Sequence, residues 1–408
     1  MKIFDKITLG YEWETGLLTR GYHIQGKDII DKIIRKMRCR FPFSRTGPDG
    51  MWRIGDVIFE IRSGILKSFP ELLKKTTDMY DAVLEICKGE DTYFYPSAMF
   101  EIYGRPFGLH IHIGTITDVS SANLIANKFS KYIPAFIALS CNSPVSKIKS
   151  GEFKSYRMYN NADRCSVPRR IVNPDYLYFS WGDDTCVKFH YIPTIELRCG
   201  DSSSSLRFAI EYSAFAGLSI LGLAETEKDF SVTKEEYIEN MINRIQALKF
   251  GLQAQFTING EKTTPGDLLV ELFDRGRDIF QKFKCSKRDF SMISGMIEKK
   301  QTQADYKYEI FRQIPDQYAF TAEIIRLMRN RNFFEEYLET VASLETLPQL
   351  DIDEFILSGI FKRTELHHIY EHVSLPMNYL VERLDNLEKT GALKKRLVPE
   401  KGLVYEKK

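Results

Sequence analysis

Acidic or imidazole side chains recur in apolar segments of the chain, either two residues from another charged or imidazole side chain or at the end of a predicted strand. Four segments show the pattern: Gly10-Tyr11-Glu12-Trp13-Glu14, Val57-Ile58-Phe59-Glu60-Ile61, Gly108-Leu109-His110-Ile111-His112 and Thr194-Ile195-Glu196-Leu197-Arg198. In a β-strand, residues i and i+2 project from one face about 7 Å apart. If the four strands are neighbours with these faces turned the same way, carboxylates and imidazoles converge on one surface. The sequence therefore predicts a polar site built on a sheet.

Such a group of carboxylates needs cations, because like charges at this density oppose one another's ionisation. Oxygen ligands with a minority of imidazole suit Mg²⁺ or Mn²⁺ better than a structural zinc. Arg198 shares a face with Glu196, where it could take up charge developing on a phosphoryl group beside such an ion. The chain has no Walker A lysine motif and no GxGxxG that opens a helix. A P-loop or Rossmann nucleotide site is therefore not expected.

The elements that must position these residues alternate between strands and helices. We expect strands at 7–17, 57–61, 109–116 and 194–199, because these segments are rich in β-branched or aromatic residues and bounded by turn formers. Helical patterns cover 28–38, 70–87 and 122–139, the second with Ser68 as N-cap and Pro70 in its first turn. From 203 to about 343 the pattern is mainly helical, with a capping box at 233–236 that opens a helix to about 255. The predicted fold class is α+β, a sheet covered by helices.

The last sixty residues read as a separate small unit. Helical patterns at 351–357, 364–373 and 376–389 precede strand patterns at 394–398 and 403–407. This order resembles a winged helix, so we divide the chain into domains 1–345 and 346–408. The hairpin is basic, through Lys394, Lys395, Arg396, Lys401, Lys407 and Lys408. DNA therefore stays open as a partner of 351–408, although acidic residues in the third helix favour a protein partner.

Composition and charge limit the classes of protein to which the chain can belong. The chain has 408 residues, with 57 Lys plus Arg against 55 Asp plus Glu and a net charge of +2, whereas proteins dedicated to the nucleic-acid backbone are usually strongly basic. Its longest apolar runs fall short of the ~20 residues that a membrane helix needs, and no signal-peptide pattern is present. Seven dispersed cysteines without a CxxC pair indicate reduced thiols. We expect a cytoplasmic homo-oligomer that does not contact a membrane.

The ordered motifs over about residues 7–225 resemble the carboxylate-amine ligases of the glutamate-cysteine ligase type 2 family. The resemblance includes Ala138-Leu139-Ser140-Cys141-Asn142-Ser143-Pro144, Ser155-Tyr156-Arg157 and Thr194-Ile195-Glu196-Leu197-Arg198-Cys199-Gly200-Asp201. It implies a glutamine-synthetase-like fold in which a curved antiparallel sheet forms a funnel. ATP would enter one end of the funnel and the amino-acid substrate the other, with metal ions between them.

The resemblance also implies roles for individual residues. The implied ligands of two or three Mg²⁺ or Mn²⁺ ions are Glu12, Glu14, Glu60, His110 and Glu196. His112 and Arg198 would face the phosphates of ATP. Arg198 and Arg157 are the implied catalytic residues.

Arg157 is also the implied site for the carboxylate of an acidic substrate, because a planar guanidinium can grip a carboxylate with two hydrogen bonds. Arg169 and Arg170 are weaker candidates for the same task. Glu101 is left open as a further metal ligand.

The implied reaction joins a carboxylate, such as the side chain of glutamate or a similar acidic amino acid, to an amine through an acyl phosphate. The identities of both substrates stay open, because the segments at 62–66 and 103–107 depart from the family pattern. Two alternatives also stay open. One is a guanidino kinase or amide hydrolase of the same superfamily, and the other is a ligand-sensing DNA-binding regulator that uses the C-terminal unit.

Overall fold

The computed structural model describes residues 6–41, 49–102, 104–116, 118–146, 149–160, 183–188, 194–314, 316–328, 353, 356–357, 360, 364–373, 377–398 and 401–408. These residues belong to two compact units, Met1–Asp305 and Tyr306–Lys408. The predicted domain boundary at 345/346 lies outside the described residues and stays a prediction.

The larger unit is built on a seven-stranded sheet with antiparallel pairings. Its strands are β1 (Leu9–Thr19), β2 (Asp49–Ile54), β3 (Ile58–Ser63), β4 (Thr92–Tyr95), β7 (Gly108–Ile113), β10 (Thr185–Lys188) and β11 (Thr194–Asp201). Shorter pairs are β5 (Met99–Phe100) with β6 (Arg105–Pro106), β8 (Val145–Ser146) with β9 (Lys149–Ser150), and β12 (Phe256–Ile258) with β13 (Glu261–Thr263). The strand order is β10-β11-β7-β1-β3-β2, and β4 pairs with the second half of β1. The four predicted strands are confirmed as β1, β3, β7 and β11, while β2, β4 and β10 were not predicted.

Helices of the larger unit pack against this sheet and against one another. They are α1 (Lys27–Arg40), α2 (Phe69–Gly89), α3 (Val119–Phe129), α4 (Ile133–Ser140), α5 (Tyr156–Asn160), α6 (Leu206–Thr226), α7 (Lys234–Phe250), α8 (Pro265–Arg275), α9 (Arg277–Lys282) and α10 (Ser291–Lys299). Two further helices follow: α11 (Gln303–Gln313), which spans the boundary between the two units, and α12 (Gln317–Met328), which lies in the smaller unit. Helix α6 packs on β1 and β7, α4 on β11, and α2 on β3 and β4. The structure confirms a mixed fold of helices and antiparallel sheet.

Alternation along the central strand separates an apolar face from a polar one. Tyr11 and Trp13 of β1 are buried on the helix side, where Trp13 stacks on Tyr80 of α2 with ring centroids 5.9 Å apart. Its indole Nε1 donates a hydrogen bond of 2.9 Å to Ser202 Oγ. The intervening residue, Glu12, therefore faces the other side of the sheet.

Local signals explain where most helices begin and two places where the prediction was wrong. The side chain of Ser68 caps α2, and Thr233 with Glu236 forms the predicted capping box of α7. The predicted helix at 122–139 is split into α3 and α4 by a 3-10 turn at Ser130–Tyr132, because Pro134 has no N–H to continue the helix. Helix α7 ends at Phe250 rather than near 255, because the next residue, Gly251, has a φ of 54° that favours glycine.

The smaller unit ends in two helices and a hairpin. Its elements from residue 364 onward are β14 (Thr364–Glu365), α13 (Leu366–Val373), α14 (Met377–Lys389), β15 (Leu393–Val398) and β16 (Gly402–Lys407). The three strands form an antiparallel sheet in the order β14-β16-β15. Leu384, Leu393 and Tyr405 are fully buried in its core. Of the helix predicted at 351–357, only residues 353, 356 and 357 are described.

Helix α6 is the one helix among the described residues that is long and apolar enough to cross a membrane. Within the protein, however, 94% of its most apolar window is buried, as in the core helix of a soluble protein. The six cysteines in the described part of the chain are free thiols, of which Cys39 alone is exposed.

Candidate metal centre

Strand pairing brings the predicted acidic and imidazole residues onto one face of the sheet. Glu12 lies opposite His110 on β7 and opposite Arg62 on β3. Glu14 lies opposite Glu60, and Glu196 lies opposite His112. Residues directly opposite each other in an antiparallel pair project from the same face. The sheet therefore gathers these side chains into one group.

Glu12, His110 and Glu196 form the centre of the group, with one potential ligand atom from each lying within 4.8 Å of the others. His110 Nδ1 is 3.6 Å from Glu12 Oε2 and 3.5 Å from Glu196 Oε1. His112 Nε2 lies 3.6 Å from Glu12 Oε1 and 3.8 Å from Glu196 Oε1. Glu196 and His110 are buried, so these donor atoms are largely shielded from water.

The central carboxylates are held in the charged form by their neighbours. Burial alone would raise the pKa of Glu12, but hydrogen bonds with His110 and His112 lower this pKa well below its usual value. Burial also opposes ionisation of Glu196, and interactions with His112 and Lys188 outweigh it and lower the pKa. Ionised carboxylates are the form that binds a cation.

Glu60 behaves in the opposite way. Burial and the negative charge of Glu12 raise the pKa of Glu60 to about 8, despite the opposing charge of Arg62. Arg62 Nε donates a hydrogen bond to Glu60 Oε1. Glu60 Oε2 is also buried but accepts no hydrogen bond from any described residue.

A divalent cation fits this donor set. Three carboxylates and an imidazole on one face supply mostly oxygen ligands, which suit Mg²⁺ or Mn²⁺. Glu60 Oε2 is buried and accepts no hydrogen bond from the described residues. Such an oxygen destabilises the fold unless a ligand binds it. Glu12, Glu60, His110 and Glu196 are the residues that could hold the ion or ions.

Glu14 lies at the margin of the group and is engaged by the backbone. Its Oε2 accepts a hydrogen bond of 2.7 Å from the N–H of Gly108. A Cβ on Gly108 would come within 2.3 Å of Arg157 Nη2 and 2.6 Å of His110 Nε2. Glycine at this position thus lets Arg157 and His110 approach each other beside the carboxylates.

A buried network of hydrogen bonds and one ion pair holds Arg157 in place. Its Nη1 lies 3.6 Å from Asp201 Oδ1, and its Nη2 donates a hydrogen bond of 3.2 Å to the Arg198 carbonyl. Asp201 also accepts hydrogen bonds of 2.9 Å each from the Asn142 N–H, Ser143 Oγ and Ser155 Oγ. Burial raises the pKa of Asp201, which Arg157 and these donors oppose.

Arg198 and Lys188 lie on the other side of Glu196. Arg198 Nη1 is 3.9 Å from Glu196 Oε2, and Lys188 Nζ is 2.6 Å from the same oxygen. Arg198 lies in a β-bulge, because β11 has one more residue than β7 between Leu197 and Gly200. Its backbone N–H donates to the Asp184 carbonyl at 2.7 Å.

The structure does not bring every candidate into the group. Glu101 is fully buried, and its carboxylate accepts a hydrogen bond of 2.7 Å from the Tyr95 hydroxyl. It is not among the described residues that cluster as potential metal ligands. Arg169 and Arg170 lie outside the described residues, so their roles stay predictions.

Three site residues were missed by the sequence reasoning. Arg62 follows Glu60 by two residues, so the alternation rule that found Glu14 would also have found it. Its guanidinium lies over the Trp52 ring, 4.9 Å from the centroid. Lys188 lies on β10, which carried no recognised strand signal, and Asp201 reaches the site only because of the bulge.

Comparisons with curated proteins connect this site to a family. The chain is 30% identical over 324 residues to a protein of Paracidovorax citrulli named "Putative glutamate-cysteine ligase 2", a match that covers 66% of this chain and 82% of that protein. A protein of the same name from Acidovorax ebreus is 26% identical over 323 residues, with the same coverage. A scan against protein-family models found no match.

Among solved structures, a bifunctional glutathione synthetase from Pasteurella multocida shares the fold, with a TM-score of 0.54 and 12% identity. The match covers 99% of this chain, which spans 59% of that protein's length. At this identity the likeness concerns the fold alone. On the strength of the curated relatives, the chain belongs to the glutamate-cysteine ligase type 2 family and is an ATP-dependent carboxylate-amine ligase that forms a C–N bond.

Proposed function

We propose that the protein joins the side-chain carboxylate of glutamate, or of a similar acidic amino acid, to an amine in an ATP- and Mg²⁺-dependent reaction. The group of half-buried Glu12 with buried His110 and Glu196 carries this proposal, because their ligand atoms lie within 4.8 Å of one another. The name of the relatives, glutamate-cysteine ligase, supports glutamate as the carboxylate and cysteine as one candidate amine.

The proposed metal ligands are Glu12, Glu14, Glu60, His110 and Glu196, for two or three Mg²⁺ or Mn²⁺ ions. Bound ions would neutralise the triphosphate and the charge that develops during phosphoryl transfer. In this proposal His112 and Arg198 face the phosphates. Lys188, 2.6 Å from Glu196 Oε2, adds a further cationic group at the same end.

Arg157 is the proposed holder of the acidic substrate, with Arg169 and Arg170 as further candidates. Its contacts with Asp201 and the Arg198 carbonyl fix the guanidinium beside His110. A fixed guanidinium can bind a carboxylate at a lower entropic cost than a mobile one.

We propose that the reaction has two steps. A carboxylate oxygen of the substrate attacks the γ-phosphorus of ATP, which releases ADP and forms an acyl phosphate. The amine then attacks the acyl carbon, which releases phosphate, and the amine loses a proton as the amide forms.

No covalent protein intermediate is needed in this scheme. Cys186 lies opposite Glu196, but burial raises the pKa of its thiol to about 12, so it is not a ready nucleophile. The protein's contribution is positioning and charge neutralisation.

We also propose that the antiparallel sheet forms a funnel of the glutamine-synthetase type, and that 346–408 is a winged-helix-like domain. Two helices followed by a hairpin support the second assignment. The free thiols support a cytoplasmic location.

For the C-terminal unit, a protein partner is favoured over DNA. Lys395 Nζ lies 2.7 Å from Asp385 Oδ1, and Lys401 Nζ lies 3.6 Å from Glu365 Oε1. Acidic neighbours thus offset part of the basic hairpin. Duplex DNA mixed with the full chain at about 50 mM salt is expected to show no mobility shift. A shift that weakens as salt rises would favour the regulator alternative.

The function is tested by a panel of amino acids and amines incubated with Mg-ATP. Phosphate release that depends on both an acidic amino acid and an amine is expected, together with an amide product by mass spectrometry. With ¹⁸O in the substrate carboxylate, one ¹⁸O should appear in the released phosphate. A stable phosphorylated guanidine would indicate the kinase alternative, and ATP-independent release of an amine would indicate the hydrolase.

A further inference from the structure

Helix α7 buries three polar residues along its middle, whereas four large apolar residues of the same stretch are exposed. Asn240, Asn243 and Arg244 are buried, although polar side chains usually occupy the exposed face of a surface helix. The opposite face carries Ile238, Met241, Ile242 and Ile245, which are 48%, 41%, 53% and 51% exposed. These four residues, called here the α7 stripe, follow the i, i+3, i+4, i+7 spacing of one helix face.

The inward polar face is fixed by specific hydrogen bonds. Asn240 Nδ2 donates to the Ser130 carbonyl at 2.6 Å. Asn243 exchanges two hydrogen bonds with the backbone of Thr257, at 2.7 and 2.9 Å. Arg244 forms an ion pair with Asp184. Rotating α7 to bury the stripe would break these contacts, so the stripe's exposure is set by the fold.

We infer that the α7 stripe is the interface through which two copies of this chain associate, with α7 of one copy antiparallel to α7 of the other. A two-fold interface is self-complementary, so one patch serves both subunits. A parallel arrangement would bring like ends of the helix together.

Charges at the ends of the stripe favour the antiparallel arrangement with a second copy. Glu235 is exposed at the N-terminal end of this face. Lys249 lies at its C-terminal end, half-buried, with its Nζ 5.5 Å from the centroid of the Phe153 ring. Antiparallel pairing brings Glu235 of each copy toward Lys249 of the other, so both ends of the apolar patch meet opposite charge.

The size of the patch sets the expected strength of the association. Four half-exposed large side chains present apolar surface on the order of 300–600 Å², the range of functional patches on monomers. Two facing patches and their polar rim approach the lower limit of specific interfaces, about 1,200 Å². We therefore expect a reversible dimer whose population rises with concentration.

Sedimentation velocity of the full chain across a wide concentration range tests this inference. The wild-type protein should shift from monomer to dimer, and Ile242→Glu should raise the dissociation constant at least about tenfold. Leu73→Glu is the matched control, because Leu73 is an exposed leucine on α2 and should leave association unchanged. A wild-type monomer at every concentration, as expected if another segment of the chain or another protein covers the stripe, would overturn the inference. So would a dimer that Ile242→Glu does not weaken.

A charge exchange tests the antiparallel geometry. Glu235→Lys and Lys249→Glu should each weaken the dimer, and the double variant should recover much of the lost affinity. Circular dichroism checks that each variant is folded. If the double variant is weaker than either single variant, the antiparallel pairing is wrong. ATP turnover does not enter these measurements, so failure of the proposed ligase function would leave them interpretable.

Discussion

Glu14 and Glu60 lie directly opposite each other on β1 and β3. Like charges at such a position are unfavourable, and burial together with the charge of Glu12 raises the pKa of Glu60 to about 8. The sheet therefore holds at least one acidic side chain that is mostly protonated at neutral pH when no cation is bound.

The first prediction concerns the stability of the metal-free protein. Since the pKa of Glu60 is about 8 in the folded chain and about 4.3 in an unfolded one, folding takes up a proton between these values. The free energy of unfolding should then fall as pH rises from about 5 to 8, by at most about 1.4 kcal/mol per pH unit from this group.

In Glu60→Gln, the free energy of unfolding should lack the part of its pH dependence that comes from Glu60. Urea unfolding in EDTA at pH 5.5 and pH 8.5 measures it, and the variant should gain stability relative to wild type at the higher pH. Equal slopes for the two proteins would contradict the raised pKa.

The second prediction concerns the central carboxylates. Glu12→Gln and Glu196→Gln should each lower Mg²⁺-dependent ATP turnover at least about 100-fold, because each removes a charged ligand while keeping the side-chain shape. The fold should persist, because each change keeps the side-chain shape, and Glu12→Gln also removes the repulsion between Glu12 and Glu60. Glu261→Gln on β13, an exposed carboxylate, is the control and should retain full activity. Wild-type turnover in either site variant would refute the metal assignment.

The third prediction concerns the close approach at Gly108. A methyl group there would displace Arg157 Nη2 and His110 Nε2. Because the buried guanidinium that Asp201 and the Arg198 carbonyl hold in place must move, Gly108→Ala should lower stability as well as activity, the activity at least about tenfold. Gly295→Ala in α10 adds a methyl group into open space and should leave activity unchanged. Equal activities of the two variants would show that the spacing at Gly108 is unimportant.

The fourth prediction concerns the support of Arg157. Asp201→Asn keeps the size of the side chain but removes the charge that faces Arg157. We expect the KM for the acidic substrate to rise more than the KM for ATP, and stability to fall by about 1–3 kcal/mol. Parallel changes in both constants would point to a general structural role instead.

Alternation and spacing predicted much of the site. The i, i+2 pattern located Glu12, Glu14, His110 and His112, and pairing of β1 with β3 and β7 then gave their common face. Local capping residues also predicted the starts of α2 and α7.

Long-range contacts could not be predicted from residue alternation and spacing. Lys188 reaches Glu196 only because β10 pairs with β11, and the inward face of α7 depends on partners such as Asp184 and Thr257. The break between α3 and α4 was readable in principle, since Pro134 removes a helix hydrogen bond. It was missed because the apolar spacing continues across the break.

The extra residue in β11 changes which residues can act together. Glu196 and Asp201 are five positions apart, so in a regular strand they would project from opposite faces. With one residue added between Leu197 and Gly200, Asp201 lies opposite Gly108 just as Glu196 lies opposite His112, and both meet the same side of β7. The extra residue reverses the face of the sheet to which the following residues of β11 project. It allows one continuous segment to serve the carboxylate cluster with its first half and the anchoring of Arg157 with its second.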